Sequence, residues 1–412
     1  MDLSFAVGDD YATVKGHEQL TFLPDIQVTE VVLRLWPNSP YSASLGGSLT
    51  LDSASLQGAA AVAVIEQRGT LARLPLKQPV PAGFPVAITA DFTLKLPRGA
   101  NERYGYQPGL SWFASGFPLL AFEPGKGWAT EPPTSAFAET ATSPAMSVRA
   151  SVTVPREGDQ VVGPGGPVET TGRTTEFQAD AIRDVAIAVG RFTKASGWSA
   201  AGVPVDAYVA AGVSDSATAY VNDQVAALND HTLRLGKYPY KRLVSVTVPG
   251  VRGGIEYPGF ILYGPNQHGA TPSHEVAHQW FYSLVGNDQA RDPWLDEGFA
   301  TFIEALHHNT DYSGVGIPIA GVNEVGAPMT YWETHTTDYF PSVYIQGARA
   351  LIRARNAVGA SRFDSTLRCY VRRYANQIAT PGDLAESFRL LPQVLAELRR
   401  VGALPRQSSP TP

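Results

Sequence analysis

Residues 274–304 read HEVAHQWFYSLVGNDQARDPWLDEGFATFIE, from His274 to Glu304. His274 and His278 stand four apart, in a run with no proline or glycine between Ser273 and Val285. On a helix this spacing puts both imidazoles on one face, a turn apart, where they can share one metal ion. Glu275 follows the first histidine and can point into the same cleft. A catalytic zinc site takes three protein ligands and keeps one position open for water. Glu297 is the best candidate for the third ligand. Eighteen residues separate it from His278, and it opens a second helix-like run, Glu297 to Leu306. Glu304 stands seven after Glu297, on the same helical face, placed to anchor a ligand histidine.

This pattern resembles the gluzincin metallo-aminopeptidases, the family of aminopeptidase N and leukotriene hydrolase. The phrases His278-Gln279-Trp280-Phe281 and Trp294-Leu295-Asp296-Glu297-Gly298-Phe299-Ala300 extend the likeness beyond the two histidines. Gly253-Gly254-Ile255-Glu256 resembles the family's GxMEN motif, with Ile255 in place of Met and Tyr257 in place of Asn. There the glycines allow an extended peptide to pair with the edge, and Glu256 can meet the peptide's terminal ammonium. Tyr344-Ile345-Gln346-Gly347-Ala348 resembles the phrase whose tyrosine hydrogen-bonds the oxyanion. Tyr331 and Tyr339 lie at comparable distances but lack the following Gly-Ala. Phe117-Pro118-Leu119-Leu120 and Gly127-Trp128 look like landmarks of the family's first domain, and Gln107 is a possible match for a further amine-binding group.

The resemblance implies an α+β multidomain fold. An N-terminal antiparallel β-sheet domain, saddle-like in the family, is followed by a thermolysin-like α/β zinc peptidase domain that ends in helices. The boundary falls near Gly212, giving domains 1–212 and 213–412. The family usually carries a large helical domain after the catalytic one, whereas 68 residues follow Tyr344 here. The expected wall of the substrate chamber is then missing or supplied by another chain.

Composition narrows the classes of function. With 412 residues, 44% hydrophobic and 17% charged, the chain has ordinary globular composition and room for two or three cores. A formal charge of −6 and the lack of a basic run or phosphate-cradling loop argue against nucleic acid as partner. The single cysteine, Cys369, excludes an internal disulfide framework and a thiolate zinc site. No apolar run is long enough for a membrane span, and no signal peptide is visible. The compartment is cytoplasmic, or secreted with a leader removed, and the oligomeric state is open.

The first two hundred residues carry strand signals. From Val86 to Leu96, apolar and polar residues alternate with a period of two. Met146 to Val154 repeats the pattern, and Val31 to Trp36 and Val205 to Val209 read as further strands, the last closing the first domain. Tyr104 to Trp128 is rich in aromatics that suit a core. Val221, Val225, Leu228, Thr232 and Leu235 mark an amphipathic helix ended by Gly236. Leu243 to Val248 is a strand. After Glu304 come helical runs at Val343 to Val358, Ala360 to Asn376 and Leu390 to Val401, with Pro381-Gly382-Asp383 between the last two and a frayed tail at Ser408 to Pro412. His268, His307, His308 and His335 read as surface residues rather than ligands.

Three functions compete. The first is a zinc aminopeptidase with one Zn2+ per chain, acting on peptides with a free N-terminus. Glu275 is its general base, Tyr344 its oxyanion donor, and Gly253, Gly254 and Glu256 bind substrate. The second is another zinc hydrolase on the same fold, such as an endopeptidase or an epoxide-opening enzyme. The third is an inactive binding module. The complete set of ligands, base and tyrosine disfavours the third.

Overall fold

The alternation in Val86–Lys95 and Thr13–Phe22 becomes the centre of a large antiparallel sheet, with Leu20 facing Ile88 and Val14 facing Leu94 across the pair. The computed structural model describes residues 1–99, 103–135 and 142–405. The C-terminal stretch Ser408 to Pro412 lies outside the described residues. The large sheet has eight strands in the order Pro167–Thr171, Thr174–Ile182, Met146–Thr153, Asp2–Val7, Thr13–Phe22, Val86–Lys95, Ser48–Leu56 and Ala59–Ala60. One pair, Asp2–Val7 with Met146–Thr153, runs parallel and closes the sheet over a long stretch of sequence. Its inward positions, among them Leu3, Phe5, Val14, Leu20, Phe22, Phe92 and Leu94, are buried in one core together with Phe113, Phe117 and Phe122. Each such side chain contributes about 1.5–3 kcal/mol by leaving water. The Tyr104 to Trp128 aromatics join this packing, as when Phe122 sits edge-on to Phe22 at 4.7 Å.

A second, five-stranded sheet is mixed. Its order is Phe192–Trp198, Pro204–Ala210, Leu243–Thr247, Phe260–Tyr263 and Gly254–Tyr257. The central strand Leu243–Thr247 pairs in parallel on both sides and is buried throughout, so its sequence is a continuous rather than alternating run. Strands before and after Gly212 share this sheet. The boundary expected near Gly212 falls between Pro204–Ala210 and Leu243–Thr247, two strands of this sheet. Pairing partners 38 residues apart leave no local mark in a sequence.

The chain divides into two compact units, one built from Met1–Ser135, 142–226 and Tyr240–Pro272, the other from Ala227–Pro239 and 273–405. The first holds every sheet described here. The second is helical.

The helices used below are α1 (Ala217–Leu235), α2 (Ala270–Ala277), α3 (Trp294–His308), α4 (Gly347–Val358), α5 (Ala360–Arg373), α6 (Pro381–Ser387) and α7 (Pro392–Arg400). α1 stops where Gly236 takes a left-handed φ of 107°. α3 is apolar on nearly all faces and is buried accordingly. Its ends follow helix electrostatics: Asp296 and Glu297 lie in the first turn, His307 and His308 in the last. α6 occupies the segment containing Pro381-Gly382-Asp383. Thr380 caps it, Pro381 begins it, and Asp383 closes a capping box.

α3 and α4 pack against each other at a pair of glycines. A Cβ on Gly347 would lie 3.3 Å from the Gly298 Cα, and one on Gly298 would lie 3.4 Å from the Val343 carbonyl oxygen. Glycine at both positions lets the two backbones approach closely, and a Cβ at Gly347 would ask its neighbour to give by a few tenths of an ångström. Just before α4, residues Phe340–Gln346 form a π-helical turn. The helical run expected from Val343 thus begins as a wider coil, a form that recurs at functional positions. Among the described residues no helix is long and apolar enough to cross a membrane.

Candidate metal centre

His274 and Glu275 lie on α2, and His278 follows one residue beyond its end. The helix stops sooner than the proline- and glycine-free run would allow. Trp280 is fully buried against Tyr238 and His231, and this packing overrides local helix preference. The His278 amide still donates to the His274 carbonyl at 3.3 Å, so the two imidazoles keep their helical relation.

Glu297 comes from the first turn of α3. Its Oε2 lies 3.2 Å from His274 Nε2 and 3.3 Å from His278 Nε2, and the two Nε2 atoms are 3.0 Å apart. Three donors bound tetrahedrally to zinc at about 2.0–2.2 Å stand about 3.3–3.6 Å from one another. The observed triangle is within a few tenths of an ångström of that.

The outer nitrogens fix the tautomers. His278 Nδ1 donates to the Phe281 carbonyl at 3.2 Å, and His274 Nδ1 donates to Glu304 Oε2 at 3.1 Å. With the Nδ1 protons held outward, both Nε2 atoms face Glu297, free to offer lone pairs to a metal once the proton that His274 shares with Glu297 is displaced. Such a convergence of acceptors is repulsive unless a cation sits among them. Two imidazoles and a carboxylate suit zinc, so the residues present fit the ion that the spacing implies.

The electrostatics agree. Burial works against a charged His274 ring, but Glu297, Glu304 and Glu275 outweigh it and hold its pKa well above 6.5. Burial likewise pushes Glu297 up, yet His278 and His274 hold it well below the usual carboxylate range. The metal-free pocket thus keeps a proton where a metal would bind.

Glu304 lies one face along α3 from Glu297, and its second oxygen accepts the Tyr312 hydroxyl. Tyr312 has no marker in the sequence: it lies eight residues beyond Glu304, past the end of α3, with a left-handed φ of 55°. Tyr344 sits on the π-helical turn, and its ring stacks on His274 with centroids 5.7 Å apart and planes 11° from parallel. Tyr339 meets the Tyr344 ring edge-on, and Tyr331 stacks on His335. Of Tyr331, Tyr339 and Tyr344, Tyr344 is the one whose ring lies against His274 in these contacts.

Glu275 is buried, 4% exposed. His274, Glu275, His278, Glu297, Glu304 and Tyr344 all belong to the helical unit. Gly253, Gly254 and Glu256 belong to the sheet unit. Gly253 has a left-handed φ of 85°, and Gly254–Tyr257 forms the edge strand of the five-stranded sheet, with Glu256 buried. Gln107 ends the strand Tyr104–Gln107 in the same unit and lines a pocket of about 210 Å³ with Tyr11, Arg156 and Arg191. Of the remaining histidines, His268 is exposed and bonded to Asp223, and His335 lies under Tyr331. His307 is only partly exposed and lies against Asp230.

His274 and His278 four apart, with Glu297 from the following helix, make up the candidate metal centre. Residues 232–322 match the model of the peptidase family M1 domain. Among curated relatives, Aminopeptidase M1-D of Oryza sativa subsp. japonica is 26% identical over 254 residues, 53% of this chain and 29% of that protein. Aminopeptidase M1 of Arabidopsis thaliana is 26% identical over 238 residues, 48% of this chain and 26% of that protein. Endoplasmic reticulum aminopeptidase 2 of Bos taurus is 31% identical over 166 residues, 36% and 17% of the two chains. The matches thus span less than a third of these relatives' lengths. The fold as a whole resembles the crystal structure of an M1 zinc metallopeptidase from Deinococcus radiodurans. Its TM-score is 0.69 at 20% identity, covering 99% of this chain and 93% of that one. A mutant of that metallopeptidase bound to a Tyr-Ser-Ala substrate has a TM-score of 0.71 at 20% identity, with 100% and 95% covered.

Proposed function

We propose that this chain is a zinc-dependent aminopeptidase that hydrolyses the first peptide bond of substrates with a free amino terminus. The observation that carries the reading is the convergence of His274, His278 and Glu297 to 3.0–3.3 Å. The aminopeptidase relatives and a neighbour that holds a tripeptide support the substrate class.

When bound, one zinc ion supplies Lewis-acid polarisation of the scissile carbonyl and an acidified water. Glu275 takes the proton of the attacking water and hands it to the leaving amine, as general base and then general acid. The Tyr344 hydroxyl donates to the oxygen that becomes negative as the tetrahedral centre forms. Glu304 accepts the Nδ1 proton of His274 and so keeps its Nε2 lone pair free. Gly253 and Gly254 line the strand edge on which an extended substrate pairs, and Glu256 holds its terminal ammonium. The ammonium lies one residue from the first scissile carbonyl, so a fixed carboxylate selects the first bond.

The test is metal analysis beside hydrolysis of aminoacyl-anilides and of matched free and acetylated peptides. The expected result is one zinc per chain, with free termini strongly preferred. Glu275→Gln keeps the zinc and loses nearly all turnover. Substantial activity in that variant refutes the role of Glu275. Equal cleavage of free and acetylated peptides by the unmutated protein replaces the aminopeptidase reading with an endopeptidase one.

A further inference from the structure

His231 lies in α1 and is completely buried. Its Nε2 is 2.9 Å from the Ser273 carbonyl, which only accepts, so Nε2 carries the proton. Its Nδ1 makes no hydrogen bond, although Asp230 Oδ2 stands 3.4 Å away. His307 Nδ1, from the last turn of α3, lies 3.3 Å from the same oxygen. The two rings are 5.6 Å apart and nearly perpendicular.

We propose that Asp230, His231 and His307 form a second metal site, weaker than the first, for a borderline divalent cation such as Zn2+, Ni2+ or Co2+. Ligand histidines commonly donate their other ring N–H to a carbonyl, which is how Ser273 holds His231. The 3.3 and 3.4 Å separations match donors shared by a metal at about 2.0–2.2 Å. A buried imidazole nitrogen beside a carboxylate, without a hydrogen bond to it, is what a cation between them would leave. Arg234 Nε donates to Asp230 Oδ2 at 2.8 Å and occupies one of its lone pairs. Its positive charge opposes a second cation, so this site fills after the catalytic one. Asp230 and His307 are each about a quarter exposed or less in their side chains, which gives the ion an entry from solvent.

The experiment is equilibrium dialysis of the zinc-loaded full chain against rising free Zn2+ or Ni2+, with metal counted per chain. The unmutated protein is expected to take up a second equivalent at micromolar free metal. His307→Ala and Asp230→Asn are expected to lose that equivalent and keep the first. These partly exposed positions are chosen because a change at His231 risks the fold. His274→Ala is expected to lose the tight equivalent and keep the weak one, which separates this site from the catalytic reading. Saturation at one equivalent overturns the proposal. So does a second equivalent that survives both His307→Ala and Asp230→Asn.

Discussion

Replacing Glu304 by glutamine tests how the carboxylate behind His274 contributes to metal binding. Glu304 Oε2 is 3.1 Å from His274 Nδ1, and Oε1 accepts the Tyr312 hydroxyl. Glutamine has the same size, so the packing is retained. Its amide oxygen must face His274, because its NH2 would meet the Nδ1 proton, and the NH2 then faces Tyr312, whose oxygen can accept. Both contacts survive, but the bond to His274 loses its charge assistance. A hydrogen bond to a charged group contributes about 1.5–3 kcal/mol and a neutral one about 0.5–1.5. The difference, about 1–1.5 kcal/mol, weakens zinc binding about 5- to 13-fold. Glu304→Ala also frees the ring to turn and should reach the upper end of the 10- to 100-fold loss usual for such partners. The assay is competition for Zn2+ with a chromophoric chelator, with circular dichroism to confirm the fold. Zinc affinity unchanged in both variants would refute the role given to Glu304.

Tyr344→Phe should lower kcat about 10²- to 10³-fold with KM little changed, and steady-state kinetics check it; a loss of that size in Tyr339→Phe instead would move the oxyanion donor to Tyr339. Glu256→Gln should keep zinc bound, lower kcat/KM on aminoacyl substrates roughly 10- to 150-fold and shrink the preference for free termini, as loss of a charge-assisted bond implies. Away from the site, burial pushes the core carboxyl of Glu18 up to about 8, opposed only weakly by the amino terminus. A raised carboxyl pKa stabilises the fold fully below about 4.5, its ordinary value, and that stability is lost as pH rises to about 8. Chemical denaturation of Glu18→Gln should therefore show a flatter pH dependence between pH 5 and 8 than the unmutated protein, by a few kcal/mol; parallel curves would mean that Glu18 is not buried as a neutral acid.

The candidate metal centre was legible in the sequence because its candidate ligands sit on regular helical spacings. His274 and His278 differ by one turn, and Glu297 and Glu304 by two, so one face of each helix could be read directly. Strands with period two, such as Val86–Lys95, were equally plain. Features that depend on distant pairing were not. Nothing local shows that Pro204–Ala210 and Leu243–Thr247 share a sheet, and so a boundary near Gly212 looked sensible. Tyr312 and His231 reach the ligands or their neighbours only through the fold. His231 in particular sits in an amphipathic pattern that draws attention to the leucines around it. The capping box at Thr380 and Asp383 was present in the letters, but Pro381-Gly382-Asp383 was placed only as the stretch between two helical runs.

The Gly298–Gly347 crossing has a consequence for how the site can evolve. Glu297 is the neighbour of one glycine, and Tyr344 lies three residues before the other. The separation between a metal ligand and the hydroxyl proposed to stabilise charge is therefore a length set by two absent side chains. A Cβ added at Gly347, 3.3 Å from the Gly298 Cα, acts as a spacer of a few tenths of an ångström between the two elements. Neither proposed functional residue needs to change for the spacing between them to shift, so these two silent positions share in setting the gauge of the site.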